Sequence, residues 1–511
     1  MTTASEESRA ATGNSYGQIL KSSALIGGSS IAEIGLRIVR GKVMALLLGP
    51  AGVGWLGLYS SIADLAQSIT GLGVSSSGVR EVAGASHDVD RLARTVRVLH
   101  FATFGFGVVG AGVLVLLARP ISQATFGNDE HAFAVALLAL AVLLRQLATA
   151  HAAVTQGLRR VGDLARIAVW SALLGTLSTI VIVYLSREQG LVPALVAAAA
   201  TNFAAAWWYG RRVELPRPAI DAAQLRERLS ALVKLGLAFM LSGLLVMGSA
   251  YAIRVIVVRA AGIEAAGLYQ AAWGIGGLYL GFILQAMGTD FFPRLTAVAS
   301  DAQASTRLIN EQTLIGVLLA GPGVLATLAF APFVVALFYS SAFEASVDAL
   351  RWICLGMMLR VITWPLGFIV MAKGLQRLFV AIDLGYALGH VGLALLLVGP
   401  YGVSGAGMAF MGSYLLYGLA VYPIARWLTG FRYSRENRRL ITGFVVMITA
   451  VFAGFQLLPP AWAFGFAVLA TVAASIHALR ALIALAPLER LPAPLQRLLR
   501  HVPAVLTGRQ G

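Results

Sequence analysis

The chain contains fourteen runs of predominantly apolar residues, and each is about as long as the roughly 20-residue helix that crosses a bilayer. The runs cover residues 19–48, 53–82, 96–118, 131–155, 164–186, 190–210, 230–258, 264–292, 308–337, 345–372, 378–398, 402–428, 440–457 and 461–485. Because 58% of all residues are hydrophobic and 12% are charged, no soluble core could bury this surface. The sequence therefore predicts an all-α polytopic membrane protein with about fourteen transmembrane helices.

Arginine is concentrated on one side of this predicted topology. With a cytoplasmic N-terminus, the segments on the outer side hold only Arg119, Arg187 and Arg259. The segments on the inner side hold Arg91, Arg94, Arg97, Arg159, Arg160, Arg166, Arg211, Arg212, Arg217, Arg226, Arg228, Arg432, Arg435, Arg438, Arg439, Arg490, Arg497 and Arg500. Positive residues favour the cytoplasmic side, so we expect both termini there. The net charge is +16, but no basic domain lies outside the predicted membrane spans. We therefore expect no nucleic-acid partner.

Three motifs recur in order. AGVGWLGLY (51–59) matches AGIEAAGLY (261–269), QGLRR (156–160) matches KGLQR (373–377), and the segment at Gly190 matches that at Gly402. The offsets all lie between 210 and 217, which predicts two pseudo-symmetric, parallel six-helix lobes. The predicted organisation is a polar cytoplasmic N-terminus (1–18), an N-lobe (19–210), a cytoplasmic linker (211–229), a C-lobe (230–428), an extra helix pair (440–485) and a basic cytoplasmic tail (486–511).

Ionisable residues lie inside the predicted spans, where each costs at least a few kcal/mol. Glu33, Arg37 and Arg40 share one helix face by their i, i+4, i+7 spacing, and that face must point into protein or a hydrated cavity. The others are Lys42, Asp64, Arg145, Arg254, Asp290, Arg351, Arg360, Asp383 and His390. For Lys42, Arg254 and Arg351, the alternative is that the side chain reaches outward to the membrane surface.

The candidate binding residues are the cations of this set. Arg145 and Arg360 precede matched motifs and are therefore expected at equivalent depths of the two lobes. Surplus positive charge fits a phosphate-bearing ligand, so we list Arg37, Arg40, Lys42, Arg145, Arg254 and Arg360 as candidate binders of a pyrophosphate and nearby sugar. Glu33 is expected either to pair with Arg37 or to couple transport to an ion. Asp64 is expected to pair with Arg37 or Arg40 or to carry a proton.

Two segments match the dinucleotide-binding pattern G-x-G-x-x-G, at Gly52–Gly57 and Gly105–Gly110. Neither follows a predicted strand, so both are interpreted as accidents of composition. No nucleotide-binding loop and no cysteine–histidine metal spacing occurs, and Cys354 is the only cysteine. We expect no cofactor, no metal and no ATP hydrolysis on this chain.

The opening of the chain resembles a known family. The segments LKSSALIGGSS, IVRGKVMALLLGPAGVGWLGLYSSI and GLGVSSSGVREVA, within residues 19–83, are similar to O-antigen translocases of the Wzx type, in the MOP exporter superfamily. Helix 1 also resembles that of lipid II flippases, and this resemblance puts Arg40 on a functionally important arginine of that family. A second-helix arginine of that family has no counterpart, because Ser68 stands near its position. The extra helix pair is shared with lipid II flippases, whereas Wzx proteins more often have twelve spans.

The resemblance implies a flippase, not an enzyme, in the bacterial inner membrane. It implies two lobes around a central cavity and translocation of an undecaprenyl-pyrophosphate-linked oligosaccharide, an O-antigen or exopolysaccharide repeat unit, to the periplasmic leaflet. Polysaccharide polymerase or ligase machinery would be the protein partner. Two alternatives stay open: a small-molecule or cation antiporter of the same superfamily, which would favour carboxylates over arginines, and a membrane glycan polymerase, which usually needs a large outer loop.

Overall fold

A computed structural model describes the backbone of residues 3–216 and 221–485. It describes the side chains of residues 28–216 and 221–485 except those at 222–224, 231, 234, 235, 237–239, 242, 279, 282, 286 and 289. The basic tail predicted at 486–511 and positions 217–220 of the predicted linker lie outside the described residues. Every regular element in the described ranges is helical. The chain divides by packing into two compact units, unit 1 (Met1–Arg259) and unit 2 (Ala260–Gly511).

Unit 1 is built from seven complete helices and the beginning of an eighth. These are α1 (Thr3–Gly71), α2 (Val74–Ala85), α3 (Val89–Leu116), α4 (Ala118–Phe126), α5 (Ala132–Gly157), α6 (Val161–Ser186), α7 (Leu191–Gly210) and the first part of α8 (Ala222–Ala297). Helix α5 packs against α1, α2, α3 and α7. The side chains of α5 therefore meet those of α1 in the interior of the unit.

Unit 2 begins within α8, at Ala260. It continues with α9 (Ala302–Ala329), α10 (Ala331–Phe338), α11 (Val347–Ala372), α12 (Gln376–Thr429), α13 (Arg435–Leu457) and α14 (Pro460–Leu485). Helix α11 packs against α9 and α12, and the pair α13 and α14 packs onto α9.

The predicted internal repeat is confirmed by the helices themselves. Helices α3 and α9 are both 28 residues long, and helices α5 and α11 are both 26 residues long. The separation between the members of each pair lies within the range of the motif offsets. The N-caps repeat as well: Asp88 accepts a hydrogen bond from the Arg91 backbone N–H, and Asp301 accepts from the backbone N–H groups of Gln303 and Ala304, as expected for an aspartate at that position.

Fourteen membrane-length segments are present in the described residues, in agreement with the number predicted. Ten helical stretches are long and apolar enough to cross a membrane. Four of them, Gly28–Gly71, Val161–Gly210, Gly243–Leu278 and Gln376–Thr429, are each interrupted once. The interruptions are Gly49 (φ 66°), a 3-10 turn at Arg187–Gly190, Gly262 (φ 89°) and Gly402 (φ 56°).

The second predicted span, 53–82, is wrong as a single helix. Helix α1 ends at Gly71, and α2 begins at Val74 after two residues in the left-handed region, Leu72 (φ 45°) and Gly73 (φ 67°). Two consecutive left-handed residues end a right-handed helix. A Cβ on Gly73 would lie 2.1 Å from the carbonyl oxygen of Gly236, so the break also brings this turn against the backbone of α8.

The segment between α7 and α8 is shorter than the predicted linker, because α8 begins at Ala222. The first arm of α8 packs with unit 1, whereas the sequence repeat assigns it to the second lobe. The domain boundaries derived from the repeat stay a prediction.

Candidate cationic site

The first arm of α1 carries an ion pair. Arg37 donates from Nη2 to Oε1 of Glu33 at 2.7 Å, one helical turn away. The predicted pair of Glu33 with Arg37 is therefore present, and the ion-coupling role of Glu33 stays a prediction. The pair neutralises the charge of Arg37 and leaves Glu33 engaged.

A second ion pair joins the other arm of α1 to α5. Arg145 donates from Nη1 to Oδ1 of Asp64 at 2.6 Å. The expectation that Asp64 pairs with Arg37 or Arg40 is wrong. The break at Gly49 separates the two arms of α1, and packing of α5 against α1 brings Arg145 to Asp64 instead.

Arg40 lies between these pairs and has no carboxylate of its own. Its guanidinium is partly buried and within electrostatic range of Arg37, Arg145 and Glu33. In the part of the chain that the structure describes, Arg40 makes no ion pair and no hydrogen bond. Since both nearby carboxylates are engaged by other arginines, this cluster retains one uncompensated positive charge, which is costly away from water unless an anion binds.

A polar cavity adjoins the Asp64–Arg145 pair. Its volume is ≈ 300 Å³, and it is lined by Asp64, Gln67, Ser68, Gly71, Gly73, Ser75, Ser76, Gln146, Thr149, Met240 and Met247. The left-handed turn at Leu72–Gly73 forms part of its wall, because it turns the serines of α2 toward the same space as the end of α1. Ser68, which replaces the expected second-helix arginine, also lines this cavity.

Unit 2 places its own arginine beside aromatic rings. The Arg360 guanidinium lies 6.0 Å from the ring centroid of Tyr414, and Tyr414 packs at 5.0 Å against both Tyr386 and Phe410. No ion pair joins Arg360 among the residues described. Counted from the first residue of each helix, Arg360 occupies in α11 the position that Arg145 occupies in α5. The two arginines thus match in the repeat, and their equal depth in the bilayer stays a prediction.

The other cations predicted within the spans are Lys42, Arg254 and Arg351. Arg254 donates from Nη1 to the backbone oxygen of Ala250 at 2.9 Å, and Lys42 is partly buried in α1. Arg351 is buried, pairs with Asp348 at 3.3 Å and lies 3.9 Å from the ring centroid of Phe455. The binding roles of these residues stay predictions.

The glycine-rich motifs are not phosphate loops. Gly52–Gly57 lies inside α1 and Gly105–Gly110 inside α3, so their backbone N–H groups belong to helices. Among the described residues, no group of three or more histidine, cysteine, aspartate or glutamate side chains is arranged to hold a metal ion.

Comparison with known proteins shows which family the chain belongs to. The sequence pattern of the family described as "Polysaccharide biosynthesis protein" matches residues 43–348, which is more than half of the chain. The chain belongs to the polysaccharide biosynthesis protein family. As a member of this family with many bilayer-length apolar helices, it is a multi-pass membrane protein.

Two relatives and two solved structures resemble this family member over most of their length. The lipid III flippases of Escherichia coli K12 and Shigella flexneri are each 24% identical to it over 405 residues, covering 78% of this chain and 96% of theirs. The lipid II flippase MurJ in an inward closed conformation aligns with a TM-score of 0.65 at 10% identity, covering 90% of this chain and 99% of that one. An inward-facing multidrug resistance MATE family transporter aligns with a TM-score of 0.61 at 18% identity, covering 78% and 94%. The fold is that of the MOP superfamily.

Sequence reasoning missed two residues that the structure places at these sites. Gln146 directly follows Arg145 in α5, and a polar residue next to an intramembrane charge would have been the signal. The second residue is Tyr414 of α12, whose ring lies near the guanidinium of Arg360. This proximity depends on how α11 packs against α12, and no local sequence pattern predicts that packing.

Proposed function

We propose that this protein is a flippase for a lipid-linked oligosaccharide. The substrate we infer is an undecaprenyl-pyrophosphate-linked repeat unit of O-antigen or exopolysaccharide, moved by alternating access from the cytoplasmic to the periplasmic leaflet of the bacterial inner membrane. Family membership and the lipid III flippases among its relatives support this proposal. A polysaccharide polymerase or ligase would receive the product.

The observation that carries the proposal is the uncompensated charge of Arg40. A guanidinium donates parallel hydrogen bonds to phosphate oxygens and stays charged when it is removed from water. A pyrophosphate is thus the chemistry that Arg40 matches. Arg37 and Arg145 are further candidate ligands, and each would first have to leave its ion pair with Glu33 or Asp64. Lys42, Arg254 and Arg360 are further candidates for contacts with the substrate along its path.

The same charges argue against transport of small cations. An antiporter for cationic solutes needs available carboxylates, and in unit 1 both Glu33 and Asp64 are engaged by arginines. These pairs leave the cluster positive, which repels a cation. Coupling of transport to an ion through Glu33 or Asp64 would require one of these pairs to open.

The test is binding of a headgroup by the purified full-length protein in lipid nanodiscs. Undecaprenyl pyrophosphate and uncharged undecaprenol serve as probes, and thermophoresis gives their dissociation constants. We expect wild type to prefer the pyrophosphate. Arg40→Ala should weaken its binding about 10- to 100-fold, because a hydrogen bond to a charged group contributes about 1.5–3 kcal/mol.

Two variants control this experiment. Arg40→Lys keeps the charge but loses the two-pronged geometry and should fall between wild type and Arg40→Ala. Arg166→Ala removes an arginine that pairs with Asp163 at 3.2 Å, outside the cluster, and should bind as wild type does. Equal binding of both probes by wild type, or unchanged binding by a folded Arg40→Ala protein, would refute the proposal.

A further inference from the structure

Gln146 is buried with an unused hydrogen-bond donor. Its side chain lies in α5 next to Arg145, and 1% of the residue is exposed. Within the described residues, its Nε2 has no hydrogen-bond partner. Leaving a buried amide unsatisfied costs about 1–3 kcal/mol, so we expect an acceptor that is not part of the chain, either a water molecule or a ligand group, to use this donor.

Two glycines leave room for the side chain of Gln146. A Cβ on Gly71 of α1 would lie 3.4 Å from Oε1 of Gln146, and a Cβ on Gly107 of α3 would lie 3.4 Å from both Cβ and Cγ of Gln146. The amide thus lies against α1 and its stem against α3. Gln146 lines the polar cavity together with Gly71 and Asp64.

The cavity wall matches a neutral ligand rich in hydroxyl groups. Besides Asp64, its polar side chains are serines, a threonine and two glutamines, which donate and accept hydrogen bonds without charge. Met240 and Met247 add apolar surface. No arginine or lysine lines it, so the pyrophosphate is better accommodated by the neighbouring guanidinium groups. The volume of ≈ 300 Å³ is at the lower end of the range for small-molecule sites, about 300–1,000 Å³.

Unit 2 shows that the fold does not require an amide at this position. Counted from the first residues of α5 and α11, Gln146 corresponds to Val361, which is 1% exposed. Counted in the same way along α3 and α9, Gly107 corresponds to the buried Ala320. Valine and alanine side chains thus occupy in unit 2 the positions that Gln146 and Gly107 occupy in unit 1.

We propose that this cavity, headed by Gln146, is a subsite for one sugar ring of the lipid-linked glycan. On binding, the amide of Gln146 rotates so that Nε2 donates a hydrogen bond to a hydroxyl or N-acetyl oxygen of the ring, while Arg40 binds the pyrophosphate. This inference rests on the proposed function and adds to it a place where the sugar itself is recognised.

The test compares headgroups with and without a sugar on the full-length protein in nanodiscs. The probes are undecaprenyl pyrophosphate and its monosaccharide forms carrying N-acetylglucosamine, N-acetylgalactosamine, glucose or galactose. The sugar preference is the ratio of the dissociation constants without and with the sugar. Wild type should prefer at least one sugar, and Gln146→Leu should lower that preference about three- to tenfold, as expected for loss of one neutral hydrogen bond.

Gln146→Leu should bind undecaprenyl pyrophosphate itself as wild type does and should unfold at the same temperature or higher, because it removes an unsatisfied amide. Gln312→Leu, a buried glutamine of α9 in unit 2, is the matched control and should keep the sugar preference. The subsite is refuted if wild type prefers none of the sugars or if Gln146→Leu keeps the full preference, as it would if a water molecule alone used the amide. Failure of wild type to distinguish undecaprenyl pyrophosphate from undecaprenol would instead refute the proposed function.

Discussion

At the scale of single residues, the charged cluster that the structure describes in unit 1 consists of two ion pairs and the unpaired Arg40. The pair Glu33–Arg37 follows from helical spacing alone and was predictable, because residues four apart on a helix are neighbours. The pair Asp64–Arg145 joins residues 81 positions apart and depends on how α5 packs against α1. Arg40 was predictable as a cation without a local carboxylate, but its position beside Arg145 was not.

The pair between Asp64 and Arg145 predicts a coupling that stability measurements can detect. Asp64→Arg and Arg145→Asp should each lower the thermal unfolding midpoint, because each places like charges together. The double swap should recover most of the loss, with a coupling energy of about 1 kcal/mol, since half of the Asp64 side chain is exposed and solvent weakens the pair. Fluorescence-detected unfolding in detergent measures all four proteins. Simple additivity of the two single effects would contradict the pair.

At the scale of elements, the long helices are interrupted at single glycines, which divide each of them into two arms. Gly49 and Gly262 both adopt a positive φ with ψ near 180°, a region that is accessible essentially only to glycine. The matched motifs AGVGWLGLY and AGIEAAGLY begin two residues after Gly49 and one residue before Gly262. The first break could therefore be anticipated from its Gly-Pro pair, whereas the repeat does not fix the position of the second. The break at Leu72–Gly73 could not, because leucine rarely adopts a positive φ and gives no local signal.

Gly49→Ala should destabilise the protein by about 1–3 kcal/mol, the cost of a non-glycine residue in this backbone region. Gly41→Ala is the matched control: it lies in the helical part of the same arm, has no atom within 4 Å of an added Cβ, and should be neutral or stabilising by up to about 1 kcal/mol. Thermal unfolding of both variants in the same detergent tests this. Equal effects of the two substitutions would show that the conformation at Gly49 is not required.

At the scale of the whole molecule, the fold class followed from composition, since a chain this apolar has few alternatives to helices in a bilayer. The number of membrane-length segments could be predicted because each apolar run is about as long as one bilayer crossing. The orientation in the membrane rests on the arrangement of arginines and is testable, because the only native cysteine, Cys354, is buried and should not react with a polar maleimide.

Single cysteines introduced into exposed turns therefore report the orientation of the chain in the membrane, and Cys354 does not have to be replaced. Asn128→Cys, between α4 and α5, should be labelled by a membrane-impermeant maleimide applied to the periplasmic side of intact cells. Ser86→Cys, between α2 and α3, should be labelled only after the inner membrane is opened. The reverse pattern would contradict the proposed cytoplasmic location of the N-terminus.

The most direct test of the central claim is to delete the gene and profile polyprenyl-pyrophosphate-linked glycans by mass spectrometry. The deletion strain, free of other flippases that could substitute, is complemented with wild type, Arg40→Ala or Arg166→Ala. The flippase account predicts that one lipid-linked oligosaccharide accumulates, that wild type and Arg166→Ala clear it, and that Arg40→Ala does not. If no such lipid accumulates in the deletion strain, or if Arg40→Ala clears it as well as wild type does, the account is contradicted.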